Sequence, residues 1–300
     1  MPEAPRASVI IPRSRSEEPI RECLEAIAGG TTKDFEAIVV DSSSHGGGAS
    51  GDAAERGNGA ARILRSDRPL APQEARNRGA AVARGEAIVF TDADCIPRPD
   101  WLERLLEGHA QGSALVGGSI DPDGGRLVER GADICKFAPW LEGLPPGERR
   151  TLPTANMSVT REAWEQIGPF TLLAFSGDTD FCLRAVAAGI APRFVPAAIV
   201  RHDDAVSFSR FIRERRERGG AYAGLRVEAE SWSRARAFAY VLAAPLIAVK
   251  LATRGIATAI RSGRTATAAV TAPITALGFA AWTLGEAGQY LRWALGGSKS

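Results

Sequence analysis

The sequence predicts an α/β fold with a mainly parallel sheet flanked by helices, followed by a helical region associated with a membrane. Three observations lead to this prediction. Short apolar runs alternate with amphipathic segments over the first 200 residues, two of these runs end at an aspartate, and the composition becomes apolar after residue 235. Strands that alternate with helices are typical of βαβ units, in which a parallel sheet is covered on both faces.

The individual elements follow from the period of the apolar residues. Ile20, Cys23, Leu24 and Ile27 recur at helical spacing, which predicts a helix over residues 17–28. A second helix is predicted over 73–84, and we expect it to end at Gly85. A third is predicted over 178–188, and residues 121–153 are expected to form a long mixed loop. Strands are predicted at residues 8–11, 35–40, 62–64, 87–91, 115–120, 156–160 and 193–202.

Length and composition limit the possible classes of protein. The chain has 300 residues, 45% of them hydrophobic, which is enough for a large core. The net charge of +2 argues against a nucleic-acid partner, which usually requires a strongly basic domain. The sequence predicts a catalytic domain over 1–204, a basic helical segment over 205–234 and an apolar helical region over 235–300. It does not indicate an oligomeric state.

The strongest chemical signal is Asp92-Ala93-Asp94, which follows the predicted strand at 87–91. Asp41 ends another predicted strand, and the carboxyl ends of parallel strands meet at one edge, where ligands bind. Carboxylates are the ligands that Mg²⁺ and Mn²⁺ prefer, and such a cation neutralises a leaving diphosphate. Most isolated Asp-x-Asp sequences are solvated loops, but the position after a buried strand favours a functional site.

Four further residues have both a structural and a functional interpretation. Arg76 lies either on a solvent-facing helix or beside a phosphate, for which its planar fork of donors is suited. Asp178 and Asp180 open the third helix, so one is expected to cap it and the other to act as a general base. His202 closes a predicted strand and is either an ordinary polar residue or a metal ligand.

Five stretches in this order resemble family 2 glycosyltransferases with the GT-A fold. They are SVIIP, FEAIVVDSSS, ARNRGAAVARGEAIVFTDADCIPRPDWL, LPTANMSVTREAWEQIGPF and GDTDFCLRAVAAGI, and the resemblance runs from about Ala7 to Gly219. It implies inverting transfer of a sugar from a nucleotide-sugar donor with Mn²⁺ or Mg²⁺. Two alternatives remain open: a nucleotidyltransferase on a similar sheet, or a non-catalytic, membrane-anchored protein that binds sugar nucleotides.

The resemblance also implies roles for individual residues. Pro12 and Asp41 would line the nucleobase pocket, and Arg76 would lie near the nucleotide. Asp92 would contact ribose or metal-bound water, and Asp94 would bind the metal. The remaining roles fall to Gly117 and Gly118 near the sugar, Asn156 where donor and acceptor meet, Asp178 as the catalytic base, and His202 as a metal ligand.

The chain departs from the family pattern at three places. Arg13-Ser14-Arg15 follows Pro12 where a Thr-Tyr-Asn-like run is usual, and residues 42–44 are serines in place of an acid and Gly-Ser. Both changes bear on recognition of the base. Gly177 replaces the glutamate that usually precedes the catalytic aspartate, which bears on the position or the pKa of Asp178.

The last third of the chain points to a membrane. Residues 209–218 carry five arginines, which form either a salt-bridged exposed helix or a contact with a diphosphate, a lipid phosphate or an anionic surface. The apolar run at 238–249 is too short to span, whereas 266–285 is uncharged for about 20 residues. Arg254, Arg261 and Arg264 between the runs conflict with the positive-inside tendency if both runs span.

A hairpin lying in the membrane interface removes this conflict. The alternative is a helical pair packed on the catalytic domain or on a second copy. The amino-terminal sequence MPEAPRASVIIP shows no secretory signal. We therefore expect the protein at the cytoplasmic face of the cell membrane, with a glycan or a lipid-linked molecule as the acceptor.

Overall fold

A computed structural model describes residues 4–14, 20–43, 55–57, 61–122, 125–172, 176–204 and 206–296. The chain divides into two compact units. The first, which we call the sheet unit, comprises residues 1–121, 145–173 and 177–203. The second, the helical unit, comprises residues 122–144, 174–176 and 204–300. The predicted division at residues 204 and 234 stays a prediction.

The described residues form ten strands and nine α-helices. The strands are β1 (Ala7–Arg13), β2 (Phe35–Asp41), β3 (Glu55–Gly57), β4 (Ala61–Arg65), β5 (Ala87–Thr91), β6 (Cys95–Pro97), β7 (Leu115–Asp121), β8 (Gly147–Glu148), β9 (Asn156–Thr160) and β10 (Pro192–His202). The helices are α1 (Ile20–Gly29), α2 (Pro72–Val82), α3 (Trp101–Ala110), α4 (Leu127–Phe137), α5 (Arg161–Ile167), α6 (Gly177–Ala187), α7 (Phe208–Ala229), α8 (Arg234–Arg261) and α9 (Thr265–Ala294).

The strands form one mixed sheet in the order β3-β4-β2-β1-β5-β9-β7-β10-β6, with β8 paired to β10. β1, β2, β4 and β5 are mutually parallel, as are β7 and β10, and β9 runs antiparallel between β5 and β7. The carboxyl ends of β1, β2, β5 and β10 therefore share one edge with the amino end of β9. This confirms the predicted mainly parallel sheet.

The central strands are buried on both faces, as their continuous apolar sequences predict. Ile10 and Ile11 in β1, and Ile88 and Phe90 in β5, are fully buried. The helix predicted over 73–84 ends earlier, at Val82, and its cap is Ala83, so the expected end at Gly85 is wrong. Gly85 lies against β1 instead, where a Cβ atom would be 2.4 Å from the amide nitrogen of Ser8.

The prediction of a long loop over 121–153 is also wrong, because α4, a 3-10 turn at Ala138–Trp140 and β8 lie within it. α4 buries Ala132 and Ile134, but it also buries Glu129 and Asp133. Buried acids interrupt the apolar period that identifies a helix in sequence. Arg126 explains one of them, because its Nη2 donates to Glu129 Oε1 at 3.0 Å.

The helical unit contains α4 and the three long helices that end the chain. The basic segment at 209–218 lies within α7, as predicted. The apolar run at 238–249 is part of a longer helix, because α8 begins at Arg234 and continues past Lys250 to Arg261. By length and composition alone, both α8 and α9 could cross a membrane. α7 and α9 cross closely at Gly285, where a Cβ atom would lie 2.0 Å from the carbonyl oxygen of Arg216.

Candidate active site

Asp41 and Arg13 are neighbours at the ends of β2 and β1, because the two residues pair in the register of the strands. Arg13 Nη1 donates to Asp41 Oδ2 at 3.1 Å, and Ser43 donates to Oδ1 through its amide at 2.9 Å and its hydroxyl at 2.6 Å. Burial alone would raise the pKa of Asp41, but these donors and the charge of Arg13 lower it overall. Asp41 is thus a fixed carboxylate at this edge.

Two departures from the family pattern are only partly visible at this place. Pro12 pairs with Val40, so it lies one position before the pair of Arg13 and Asp41. Arg15 and residues 44–51 lie outside the described part of the chain. The roles of Pro12 and Asp41 in donor binding therefore stay predictions.

Arg76 is buried rather than solvent-facing. Arg76 is 5% exposed, and its Nη2 donates to Asp92 Oδ1 at 2.5 Å. A buried guanidinium needs a charged partner, and Asp92 supplies it from the turn after β5. Asp92 is itself only partly buried, with 31% of its side chain exposed. Arg76 therefore orients one carboxylate of the Asp-x-Asp sequence at the sheet edge.

The second carboxylate, Asp94, lies beside His202. The turn is closed by a bond from the Cys95 amide to the Asp92 carbonyl at 3.0 Å, and β6 then pairs with β10 so that Cys95 faces His202. The amide of Asp203 donates to the Asp94 carbonyl at 2.8 Å. These bonds place Asp94 Oδ1 3.9 Å from His202 Nε2.

This separation fits two ligands of one cation, since each ligand would lie about 2.1 Å from the ion. A carboxylate with an imidazole also suits Mn²⁺ chemically. Cys95 lies close as well, because ligand atoms of Asp92, Asp94 and Cys95 are within 4.8 Å of one another. Burial and the two carboxylates raise the pKa of the Cys95 thiol well above its usual value. Mn²⁺ and Mg²⁺ also prefer oxygen ligands to a thiol.

Gly118 in β7 and Asn156 in β9 make the contacts that position β10, the strand that ends at His202. Asn156 is fully buried, and its Nδ2 donates to the carbonyls of Ser119 and Ala198, both at 2.9 Å. Its Oδ1 accepts from Trp101 Nε1 at 2.8 Å. A Cβ atom at position 118 would lie 1.9 Å from the Ala198 carbonyl oxygen, so only glycine fits.

These contacts surround an irregularity in β10. The register with β7 shifts between Val195 and Ile199, and Ser119 Oγ donates to the Pro196 carbonyl at 2.9 Å across it. The bulge sets where the end of β10, and hence His202, meets the turn after β5. The structure gives Gly117, Gly118 and Asn156 this packing role, and their contact with a donor sugar stays a prediction.

The two aspartates that open α6 have different surroundings. Asp180 accepts from Thr171 Oγ1 at 2.8 Å and pairs with Arg184 Nε at 2.9 Å. Asp178 accepts from the Thr179 amide through Oδ1 at 2.8 Å and is only partly buried. Asp180 is therefore paired with Thr171 and Arg184. The role of Asp178 as the general base stays a prediction.

The glycine before Asp178 has a steric explanation in the fold. A Cβ atom at Gly177 would lie 2.6 Å from Cγ of Gln73, which comes one turn before Arg76 in α2. Gln73 thus occupies the space that a glutamate at 177 would need. Its Oε1 is buried and has no hydrogen-bond partner among the described residues.

An aromatic cluster fixes α6 on the sheet. Phe181 of α6 lies 4.7 Å from Phe170 between ring centroids, and Phe170 lies 5.1 Å from Phe90 of β5. Asn77 of α2 exchanges two hydrogen bonds with the backbone of Phe170, at 2.8 and 2.9 Å. Gln73 and Asn77 were not among the predicted site residues, although their spacing of four residues places them on one face of α2.

The comparisons with known proteins agree with this fold. The sequence model of Glycosyl transferase family 2 matches residues 8–172, more than half of the chain. The glycosyltransferase AglE of Haloferax volcanii is 32% identical over 208 residues, which cover 66% of this chain and 67% of that protein. The chain therefore belongs to glycosyl transferase family 2, and it is a glycosyltransferase.

Other relatives match less of their own length or only the fold. The pre-mycofactocin glycosyltransferase of Mycobacterium tuberculosis is 29% identical over 176 residues, or 55% of this chain and 37% of that protein. A solved structure with a similar fold is a mannosyltransferase from Pyrobaculum calidifontis in complex with GDP-Man and Mn²⁺. The match covers 97% of this chain and 88% of the mannosyltransferase chain. Its sequence identity is 18% and its TM-score 0.57, a likeness of fold alone.

Proposed function

We propose that this glycosyltransferase moves a sugar from a nucleoside-diphosphate sugar to an acceptor hydroxyl, with dependence on Mn²⁺ or Mg²⁺ and inversion at the anomeric carbon. The observation that carries the proposal is the meeting of Asp92, Asp94 and His202 at one sheet edge, with Asp94 Oδ1 3.9 Å from His202 Nε2. The GDP-Man and Mn²⁺ in the Pyrobaculum mannosyltransferase support it.

In this proposal, Asp94 and His202 would hold the divalent cation, which would supply positive charge beside the leaving diphosphate. Arg76 fixes the orientation of Asp92 through their ion pair, so that Asp92 contacts the ribose or a metal-bound water. Asp41 and Pro12 take the nucleobase. Gly117, Gly118 and Asn156 shape the sugar end of the cleft through the strands that they hold together.

Asp178 would act as the general base. As the acceptor oxygen attacks the anomeric carbon, an oxygen of Asp178 takes the hydroxyl proton, and the bond from that carbon to the diphosphate oxygen breaks. Attack and departure on opposite faces invert the anomeric centre. The packing of Gly177 against Gln73, and of Phe181 in the aromatic cluster, keeps the start of α6 from shifting.

The helical unit supports a membrane location. Exposed apolar residues of α8 lie on one face at spacings of four, four and three residues: Phe238, Leu242, Leu246 and Val249. Exposed residues of α9 recur every seven: Val270, Leu277, Leu284 and Leu291. Such stripes suit helices that lie in a lipid interface. We therefore propose the cytoplasmic face of the membrane as the location and a lipid-linked or surface glycan as the acceptor.

The test is a screen of nucleotide-sugar donors with Mn²⁺ or Mg²⁺ on detergent-solubilised full chain, with membrane extract as the source of acceptor. The readout is released nucleoside diphosphate. We expect turnover of one donor that chelation abolishes. Asp94→Ala and Asp178→Asn should each lower it by about 100-fold or more, because one loses a cation ligand and the other the base.

The matched control is Asp180→Asn, which changes the neighbouring carboxylate on the same helix and should keep most of the turnover. Equal losses in Asp178→Asn and Asp180→Asn would indicate damage to α6 and remove the support for a base at 178. Donor binding without turnover would favour the non-catalytic alternative. Release of sugar phosphate, with the nucleoside monophosphate transferred to the acceptor, would favour a nucleotidyltransferase.

A further inference from the structure

One buried cation of the helical unit has no acid within ion-pair distance among the described residues, although the charge of Glu286 acts on it. Arg215, in the middle of α7, is 5% exposed. Its Cζ lies 4.4 Å from the ring centroid of Trp282 and 5.7 Å from that of Phe279. Within the part of the chain that the structure describes, Arg215 forms no ion pair or hydrogen bond, and its Nε is buried without an acceptor.

The acids near Arg215 are engaged by other groups. Glu286 of α9 accepts from Tyr240 Oη at 2.7 Å and lies 3.7 Å from Arg226 Nη1. Glu214 accepts from Arg210 Nε at 2.6 Å. Burial lowers the pKa of Arg215 to about 10, so its guanidinium stays charged at neutral pH. A buried, protonated guanidinium without hydrogen bonds is costly, so a ligand that accepts hydrogen bonds from Arg215 would stabilise the helical unit.

The surroundings define what kind of ligand would fit. The aromatic rings pack against the flat face of the guanidinium. Its N–H groups point outwards in the plane of the guanidinium, so stacking does not prevent them from donating hydrogen bonds. That fork of donors matches the oxygens of a phosphate, which it can bind through two bonds at once. The rings of Phe279 and Trp282 make the site apolar, which suits a phosphate carried on a lipid.

We propose that Arg215 anchors an anion site in the helical unit and that its ligand is the phosphate of a membrane lipid. The proposal rests on the membrane location proposed above but not on sugar transfer. The lipid phosphate neutralises Arg215, and its chains lie along the exposed apolar residues of α8 and α9. Binding therefore stabilises the helical unit and ties it to lipids that carry an accessible phosphate.

The test measures thermal unfolding of the full chain in neutral detergent micelles, with phosphatidic acid, phosphatidylcholine or inorganic phosphate added. We expect phosphatidic acid to raise the Tm of the wild-type chain in a saturable manner, and phosphatidylcholine to raise it less. Arg215→Met should lose this rise. In micelles without phosphatidic acid, its Tm should equal or exceed that of the wild-type chain, because an unpaired buried charge is gone.

The matched control is Arg213→Met, an exposed arginine on the same helix, which should keep the rise with phosphatidic acid. An equal rise in Arg215→Met would overturn the proposal in favour of general attraction to the basic helix. A large loss of Tm in Arg215→Met without any lipid would also overturn it, because Arg215 would then be structural. If phosphatidic acid does not raise the Tm of the wild-type chain at all, that result alone overturns the proposal.

Two further arms separate the remaining possibilities. If inorganic phosphate alone gives the full rise and Arg215→Met loses it, the ligand is a free phosphate rather than a lipid. Nucleoside diphosphate release is measured in matched samples that also contain the nucleotide-sugar donor, the divalent cation and membrane extract. A lipid-dependent rise without turnover keeps the anion site and rejects sugar transfer, whereas turnover without such a rise rejects only the anion site.

Discussion

At the scale of single residues, much of the sheet edge depends on polar side chains that the protein itself satisfies. Asn156 makes three hydrogen bonds, to Trp101, Ser119 and Ala198, and reaches no solvent. Arg76 is bound to Asp92 in a similar way. Removal of such a group leaves its partners buried and unpaired, and that penalty exceeds the value of the bonds themselves.

We expect Asn156→Ala to lower the free energy of unfolding by about 3 kcal/mol, because a buried indole N–H and two carbonyls lose their partner. The measurement is denaturant unfolding of the variant and the wild-type chain. Asn77→Ala is the comparison, because Asn77 makes two bonds at a partly exposed position and should cost less. Equal losses at the two positions would contradict the role given to Asn156.

Single residues also show which parts of the site can be predicted from the sequence and which cannot. Aspartates that end buried strands stand out, because a charge after an apolar run has few structural reasons to be there. Asp41, Asp92 and Asp94 were therefore visible in advance. Gln73 was not, because nothing in its local sequence shows that it fills the space above Gly177. Such contacts join residues that only the tertiary fold brings together.

At the scale of elements, α3 is tied to the sheet through His109 near its carboxyl end. His109 Nδ1 lies 2.6 Å from the Ser113 carbonyl oxygen, and Nε2 lies 2.7 Å from Ser158 Oγ in β9. A carbonyl can only accept, so Nδ1 carries the proton and Nε2 accepts from the serine. Burial lowers the pKa of His109 below its ordinary 6.5, despite the bond to Ser113, which acts in the opposite direction.

This shift predicts a dependence of stability on pH. The unfolded chain takes up a proton on His109 below about pH 6.5, whereas the folded chain resists it down to a lower pH. The unfolding free energy should therefore be highest above pH 6.5 and fall as the pH drops from there towards the folded pKa, by at most about 1.4 kcal/mol per pH unit.

Denaturant unfolding between pH 7.5 and pH 5, for the wild-type chain and His109→Gln, measures this contribution. The difference in unfolding free energy between the two should be largest at pH 7.5 and shrink at pH 5. A difference that stays constant over this range would mean that His109 does not titrate on unfolding.

Elements were predictable where one physical signal dominated. The apolar runs of β1, β2 and β5 predicted the sheet, because strands buried on both faces need little else. α4 was missed, because Glu129 and Asp133 stand on its buried face and break the apolar period. The end of α2 was misplaced, because Gly85 serves a close contact with β1 rather than the end of a helix.

At the scale of the whole molecule, the chain consists of a sheet unit with the candidate active site and a helical unit with exposed apolar stripes. Leu242 and Leu246 are 70% and 76% exposed on α8. Isolated exposed leucines need no explanation, but a row of them along one helix face marks a surface that binds lipid or protein. The composition predicted an apolar end of the chain, and the helices show which side chains face outwards.

The last prediction concerns this stripe. Leu242→Glu combined with Leu246→Glu should reduce binding of the full chain to lipid vesicles by at least about 100-fold, since each buried leucine contributes about 1.5–3 kcal/mol. Flotation with vesicles of phosphatidylcholine and phosphatidylglycerol measures the bound fraction. Leu172→Glu is the control, because Leu172 is 67% exposed in the sheet unit and should not affect binding.

Salt separates the two forces that could hold the chain on vesicles. Attraction through the arginines of α7 weakens as salt is added, whereas burial of the α8 stripe does not. Binding by the double variant equal to that of the wild-type chain at high salt would reject the stripe as a membrane contact. If the double variant instead changed from a dimer to a monomer in size-exclusion chromatography, the stripe would be an interface between two copies of this chain.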